Sequence, residues 1–187
     1  RRPNIEGLGL ERIGVEAERG CIKVDETGLT NVPNVYAAGD VNGYSMLAHT
    51  AYREAEICVN NMTGKKDIMR YNAIPSVIYT NPEVACVGET EETAKAKGID
   101  YEVANLSMRY SGRYVAENER GDGICKILID KEYRKIIGVH MIGNPASEII
   151  YGAALMIEME MRVEDVQELV FPHPTISEII REGVFQL

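Results

Sequence analysis

A chain of 187 residues, 45% of them hydrophobic, is long enough for one good core, or for one domain and part of another. Its net charge of −9, from 29 acidic and 20 basic residues, repels phosphate backbones, and no basic stripe with interleaved aromatics offsets this, so no nucleic-acid partner is expected. No apolar run approaches the ~20 residues of a membrane span. The basic opening Arg1-Arg2-Pro3-Asn4 has no apolar stretch behind it and reads as no signal peptide. The chain opens on Arg1 rather than Met, from which a start partway through a longer gene product is expected. The four cysteines, Cys21, Cys58, Cys86 and Cys125, are too widely spaced for a zinc knuckle or a compact redox motif. Four reduced, buried thiols in a cytoplasmic protein are expected, with no metal site.

Residues 1–20 read as loop-like. Cys21 to Asp25 alternates apolar and polar, as a half-buried strand does. Thr30 to Asn34 is turn chemistry. Val35-Tyr36-Ala37-Ala38 reads as a short buried strand ending at Gly39-Asp40. From about Met46 to Met62 a helix is expected, with Leu47, Ala51, Ala55 and Val59 recurring at four-residue steps. Thr63-Gly64-Lys65-Lys66 stops it. A second unit begins near Tyr71. Ser76 to Thr80 and Glu83 to Val87 read as strands split by Asn81-Pro82. Thr90 to Lys97 fits a short helix, where Thr90-x-x-Thr93 is a weaker opening than a Glu at the fourth position, and Gly98 ends it. Tyr101 to Met108, Ile124 to Asp130 and Lys135 to Ile142 read as three further strands. Ala146 to Glu160 is a strong helix with Ile149, Ile150, Ala153, Ala154 and Ile157 on one face. Val163 to Val170 is a short helical turn, and Ser177 to Glu182 lies in a final helix. Strands with helices packed on the sheet make the second unit α+β.

Ala37-Ala38-Gly39-Asp40 places small residues and a carboxylate at a strand tip. Ligands approach open α/β sheets at such ends, and the carboxylate can accept hydrogen bonds from sugar or polyol hydroxyls. The following helix start offers N–H groups and a positive dipole end. A plain turn Asp that caps a helix is the alternative. Thr30 to Val41 as a whole resembles the second flavin-binding motif of the two-dinucleotide-binding-domain flavoproteins, which implies that Asp40 bonds the ribityl chain of FAD. Met46-Leu47-Ala48-His49 resembles the dihydrolipoamide dehydrogenase segment whose backbone meets the pyrimidine end of the flavin. Only the backbone of His49 is assigned to that contact, and its side chain is read as a partly exposed helix residue.

Phe171-Pro172-His173-Pro174-Thr175-Ile176-Ser177-Glu178 carries the second signal. Two prolines restrict the backbone around His173, so its imidazole can be aimed. Thr175-x-x-Glu178 is a capping box, which gives Glu178 a purely structural use. Alternatively Glu178 accepts a hydrogen bond from His173 and fixes its tautomer. His-Pro-Thr-x-x-Glu resembles the C-terminal acid/base motif of the pyridine nucleotide-disulfide oxidoreductases, which implies that His173 moves thiol protons and Glu178 orients it. A free thiol has a pKa near ~8.5, so little of it is thiolate at neutral pH. An imidazole within reach can remove its proton as attack on the acceptor occurs. His140 lies in a strand and is read as structural.

The resemblance extends over the whole chain. It implies that residues 1–70 are the end of an NAD-binding domain and the C-terminal part of an FAD-binding domain, and that residues 71–187 are an interface, or dimerisation, domain. It further implies FAD and NAD as cofactors, a two-fold homodimer in which His173 reaches the other subunit's disulfide, and lipoyl domains of 2-oxo acid dehydrogenase or glycine cleavage complexes as partners. The apolar helix from Ala146 to Ile157 and Val170-Phe171 are the expected dimer surface. The family's redox Cys-x4-Cys and its Gly-x-Gly-x-x-Gly loop have no counterpart among these residues, so the chain alone is expected to be inactive. Two competing readings are a glutathione- or mercuric-type reductase and a noncatalytic dimerisation module. Met46-Leu47-Ala48-His49 argues against the glutathione type, and His173 against the mercuric type.

Overall fold

The alternating apolar residues of the second half build a sheet; those of the first half make only short ladders. The computed structural model describes residues 1–187, and the chain divides into two units, Arg1–Tyr71 and Asn72–Leu187. No helix is long and apolar enough to cross a membrane.

The first unit contains helix α1 (Leu10–Ile13), a hairpin of β1 (Ala17–Glu18) and β2 (Cys21–Ile22), and the long helix α2 (Ala48–Met62). Residues 1–20 are therefore less loop-like than expected. Arg19 (φ 53°) and Gly20 (φ 81°) form the hairpin turn, the positive-φ pair that matches the twist of two antiparallel strands. The expected strand from Cys21 to Asp25 is hydrogen-bonded as a ladder only at its start. Its alternation persists in burial, with Ile22 and Val24 inside and Lys23 and Asp25 outside. The expected strand Val35–Ala38 is a single antiparallel bridge, Leu29 to Tyr36. Backbone bonds Thr30 N to Val35 O and Ala37 N to Gly28 O, each 2.9 Å, flank it. The tight turn through Val32 and Asn34 folds the segment back on residues 28–30, and a neighbour that short cannot supply a longer ladder.

Helix α2 corrects a second expectation. The four-residue series Leu47, Ala51, Ala55, Val59 does not mark the buried face: Ala55 is exposed, as is Val59 at 56%. The buried residues are Thr50, Glu54, Ile57 and Cys58, also at helical spacing but half polar. The helix begins at Ala48 rather than Met46, with Leu47 in extended conformation (φ −125°, ψ 134°) ahead of it.

The second unit is an antiparallel sheet with helices on it, the α+β architecture the pattern implied. Strands β3 (Ser76–Ile78), β4 (Val84–Gly88), β5 (Tyr101–Ser107), β6 (Ile124–Asp130) and β7 (Ile136–Ile142) pair in the order β3-β4-β7-β6-β5. Residues Ala85, Val87, Leu106, Cys125, Ile127, Val139 and Met141 point from one face of the sheet into the core. Helix α5 (Ala146–Glu158) packs over β4 and β7, and α7 (Glu178–Val184) over β6 and β5. All five residues named for the inner face of α5 are buried. Each Ile or Val so buried contributes roughly 1.5–3 kcal/mol, and this core is by far the larger of the two clusters.

Short helices complete the second unit. Helix α3 (Glu91–Ala96) opens on a full reciprocal box: Thr90 Oγ1 accepts from Thr93 N–H at 3.2 Å, and Thr93 Oγ1 accepts from Thr90 N–H at 2.9 Å. A threonine hydroxyl thus closes the box at the position where a Glu was expected to do so better. The strand expected to reach Met108 ends at Ser107, and a 3-10 turn at Met108–Tyr110 and helix α4 (Gly112–Glu117), capped by Ser111, follow it where no helix was expected. Helix α6 (Val163–Gln167) is shorter than Val163–Val170. Two of the four cysteines, Cys58 and Cys125, are buried, whereas Cys21 and Cys86 are partly exposed.

Candidate functional site

The second unit positions His173 just ahead of α7. Its Nδ1 lies 2.8 Å from Glu178 Oε1. The other carboxylate oxygen, Oε2, accepts the Thr175 N–H at 2.7 Å. One side chain therefore holds both the structural and the imidazole contact that the motif offered as alternatives. The capping box is only half formed, because α7 begins after Ser177 and the Thr175 hydroxyl donates instead to Pro172 O at 2.8 Å. Ser111, which is buried, donates its hydroxyl to Thr175 O at 3.0 Å. The loop carrying His173 is thus tied by its side chain at Glu178 and by its backbone at Pro172 and Thr175. The His173–Pro174 peptide is cis.

Electrostatics orient the pair. The Thr175 backbone N–H, and after it the His173 side chain, hold the Glu178 carboxyl below the usual carboxylate range. An ionised carboxylate only accepts, so Nδ1 is the donor and the neutral ring keeps its lone pair on Nε2. His173 is 81% exposed and Glu178 18%. The imidazole therefore projects outward, with its tautomer fixed from behind. Ser111 was not singled out in the sequence; the Ser-Gly pair at 111–112 was the available signal for a helix cap. The third histidine, His140, has its Nε2 2.8 Å from Glu89 O within the sheet unit.

In the first unit, Asp40 opens a 3-10 turn, Asp40–Asn42, behind Gly39 at φ 83°, ψ −158°. Only glycine adopts that conformation without strain. The Asp40 side chain is exposed at the tip. Met46 and Leu47 are partly buried, and Ala48 and His49 are exposed in the first turn of α2. The Met46 carbonyl accepts Arg1 Nη1 at 2.7 Å. No side chain caps the start of α2, and the first helical bond runs from Ala51 N to Leu47 O. A solvent-facing carboxylate followed by an uncapped helix start fits a polyol chain and the electron-accepting edge of a ring. The flavin that the motif implies is compatible with these residues.

Glu54 was not anticipated. It is 4% exposed. Its Oε2 accepts Gly39 N–H at 2.6 Å and Asn42 Nδ2 at 2.9 Å, and its Oε1 accepts the Tyr71 hydroxyl at 2.7 Å. Burial, and then the Glu54 carboxylate, push the Tyr71 hydroxyl up.

Comparisons with known proteins agree on one family. The model of the pyridine nucleotide-disulphide oxidoreductase dimerisation domain matches residues 74–184, and that of the pyridine nucleotide-disulphide oxidoreductases matches residues 1–55. The chain is 40% identical over 183 residues to a dihydrolipoyl dehydrogenase of Rhizobium etli, covering 97% of this chain and 38% of that protein. It is 44% identical over 184 residues to the mitochondrial dihydrolipoyl dehydrogenase of Sus scrofa, covering 98% and 36%. Among solved structures, LpdA from Mycobacterium tuberculosis superposes with a TM-score of 0.91 at 28% identity, over 99% of this chain and 40% of that one. The chain thus spans little more than a third of the relatives it matches. On the match of its second unit above all, the chain belongs to the pyridine nucleotide-disulphide oxidoreductase family.

Proposed function

We propose that this chain is the C-terminal part of a flavoprotein that oxidises dihydrolipoamide to lipoamide with NAD⁺, and that His173 and Glu178 are its acid/base pair. The observation that carries the reading is the 2.8 Å contact between His173 Nδ1 and Glu178 Oε1, which leaves Nε2 on an exposed ring to meet a thiol. The relatives named dihydrolipoyl dehydrogenase support the choice of substrate.

In this reading His173 Nε2 takes the proton of a substrate thiol as the thiolate sulfur attacks a disulfide. Glu178 stays ionised throughout and stabilises the imidazolium until the proton leaves. The dithiol gives up two electrons and two protons; NAD⁺ accepts a hydride and one proton goes to solvent. Bound FAD supplies the intermediate two-electron acceptor. Asp40 would hold its polyol chain, and the backbone of Met46, Leu47, Ala48 and His49 would face its ring. Residues 1–70 are read as the end of an NAD-binding domain and the last part of an FAD-binding domain, and residues 71–187 as the interface domain. The imidazole serves the disulfide of a second protomer in a two-fold homodimer, and lipoyl domains deliver the substrate.

The test uses the intact protein that contains this chain, assayed with dihydrolipoamide, glutathione disulfide and mercuric ion. Preferential turnover of dihydrolipoamide with NAD⁺ is expected; preference for either other substrate would overturn the reading. The 187-residue chain itself is expected to take up FAD only weakly. Tight stoichiometric uptake, with flavin reduction by NADH, would contradict that.

A further inference from the structure

Glu54 is the only charged residue among the buried side chains. It lies on the inner face of α2 with Thr50, Ile57 and Cys58, where an apolar residue would pack at no electrostatic cost. Burying a carboxylate is expensive unless donors replace its water. Here its two oxygens take three donors, and two of the three belong to the Gly39–Asn42 turn. Asn42 is itself closed, because its Oδ1 accepts Tyr44 N–H at 3.1 Å. Tyr71, the third donor, stacks on Tyr44 with ring centroids 5.2 Å apart.

The consequence concerns Asp40. It sits between Gly39 and Asn42, both fastened to one carboxylate, so the turn that carries it is held on either side. The same carboxylate is rooted in α2, whose first turn carries Ala48 and His49. Glu54 therefore ties the exposed carboxylate of the turn to the start of the helix. These are the two features of the first unit that fit a flavin. We infer that Glu54 is a positioning residue for flavin: it fixes the distance and angle between the Asp40 tip and the start of α2, acting through Gly39 and Asn42 without touching the ligand. The inference rests on the proposed flavoprotein reading.

The variants separate positioning from plain stability. In Glu54→Gln the amide oxygen can keep both turn donors while its NH₂ faces Tyr71, whose hydroxyl can turn to accept. Asn42→Ala and Tyr71→Phe form a matched pair. Each removes one donor from Glu54, but only Asn42 lies in the turn.

The experiment is FAD titration of the deflavinated intact protein by flavin fluorescence, with the visible flavin spectrum and the melting temperature of each apoprotein recorded beside it. Glu54→Ala is expected to weaken FAD binding by about tenfold or more, equivalent to ~1.4 kcal/mol, and to alter the flavin spectrum. Glu54→Gln is expected to restore binding to within about twofold of wild type. Asn42→Ala should weaken binding more than Tyr71→Phe even if both lower the melting temperature alike, and this comparison stands if Glu54→Ala fails to fold. Equal FAD affinity in the matched pair, or affinity that merely tracks melting temperature across the set, would overturn the inference and leave the flavoprotein reading intact. A wild-type protein that takes up no FAD would overturn both.

Discussion

At the residue scale, one carboxylate is shared between two partners. Glu178 holds a backbone N–H with one oxygen and an imidazole with the other. Its carboxyl is lowered first by the Thr175 N–H and second by His173. A folded-state pKa below the unfolded one gives stability that is present above the unfolded value and lost as pH falls through the folded one. In carbon-detected NMR titrations Glu178 should therefore titrate below an ordinary glutamate. His173→Ala should move it up only part of the way, because the larger cause remains; a full return to the ordinary value would show that the Thr175 contact does little. The cysteines give a second check. Burial raises the Cys58 thiol and pushes Cys125 up to about 12, whereas Cys21 and Cys86 reach the surface. Alkylation of the folded chain should label Cys21 and Cys86 and spare the other two until unfolding; early labelling of Cys125 would contradict the packing described. The segment's own residues left the His173–Glu178 contact open beside a capping box, and it was the resemblance of His-Pro-Thr-x-x-Glu to the family motif that favoured it. Glu54 was not legible, because its partners Gly39, Asn42 and Tyr71 lie outside its helix, 12 to 17 residues away.

At the element scale, the sheet strands were readable from alternation and α2 was readable only in extent. A period of four over Leu47, Ala51, Ala55 and Val59 matches a helix, but it does not say which stripe the rest of the unit covers. That choice belongs to Gly39, Asn42 and Tyr71, which demand an acceptor rather than an alkyl group. The end of α2 is held by a second device: Arg53 makes two bonds to Asp67, at 2.9 and 2.7 Å, and Asn60 adds a third at 2.8 Å. These contacts, Arg53 foremost, bring Asp67 down to about 2. The clamp is therefore intact above the ordinary aspartate range and released as pH falls toward that value. In the sheet, β4 leaves toward α3 across Gly138 of β7, where an added Cβ would meet the Glu89 carbonyl oxygen at 2.0 Å. Backbone, unlike the end of a flexible side chain, cannot step aside. Gly138→Ala is expected to destabilise the chain by roughly 1–3 kcal/mol in urea unfolding, and a neutral result would mean that this crossing is looser than it looks.

At the scale of the whole molecule, two units of unequal core share one chain. The larger gains its stability from a sheet covered by α5 and α7; the smaller depends on turns and on the Glu54 contacts. The order of the strands was not readable, because β4 pairs with β7 past two intervening strands, and alternation carries no address. One stripe of α5 remains outside, with Tyr151 and Leu155 exposed and continued by Met159 at the helix's C-cap, and Val170 beyond it is 97% exposed. Such apolar surface is expected at a contact between protomers. Leu155→Glu together with Val170→Glu should shift the intact protein from dimer to monomer in sedimentation velocity, and an unchanged dimer would move the interface elsewhere. The proton-transfer role proposed for residue 173 is tested most directly by stopped-flow oxidation of dihydrolipoamide in the intact protein carrying His173→Gln. A rate lower by about 10²–10⁴ is predicted, with flavin content unchanged; oxidation at the wild-type rate would contradict it.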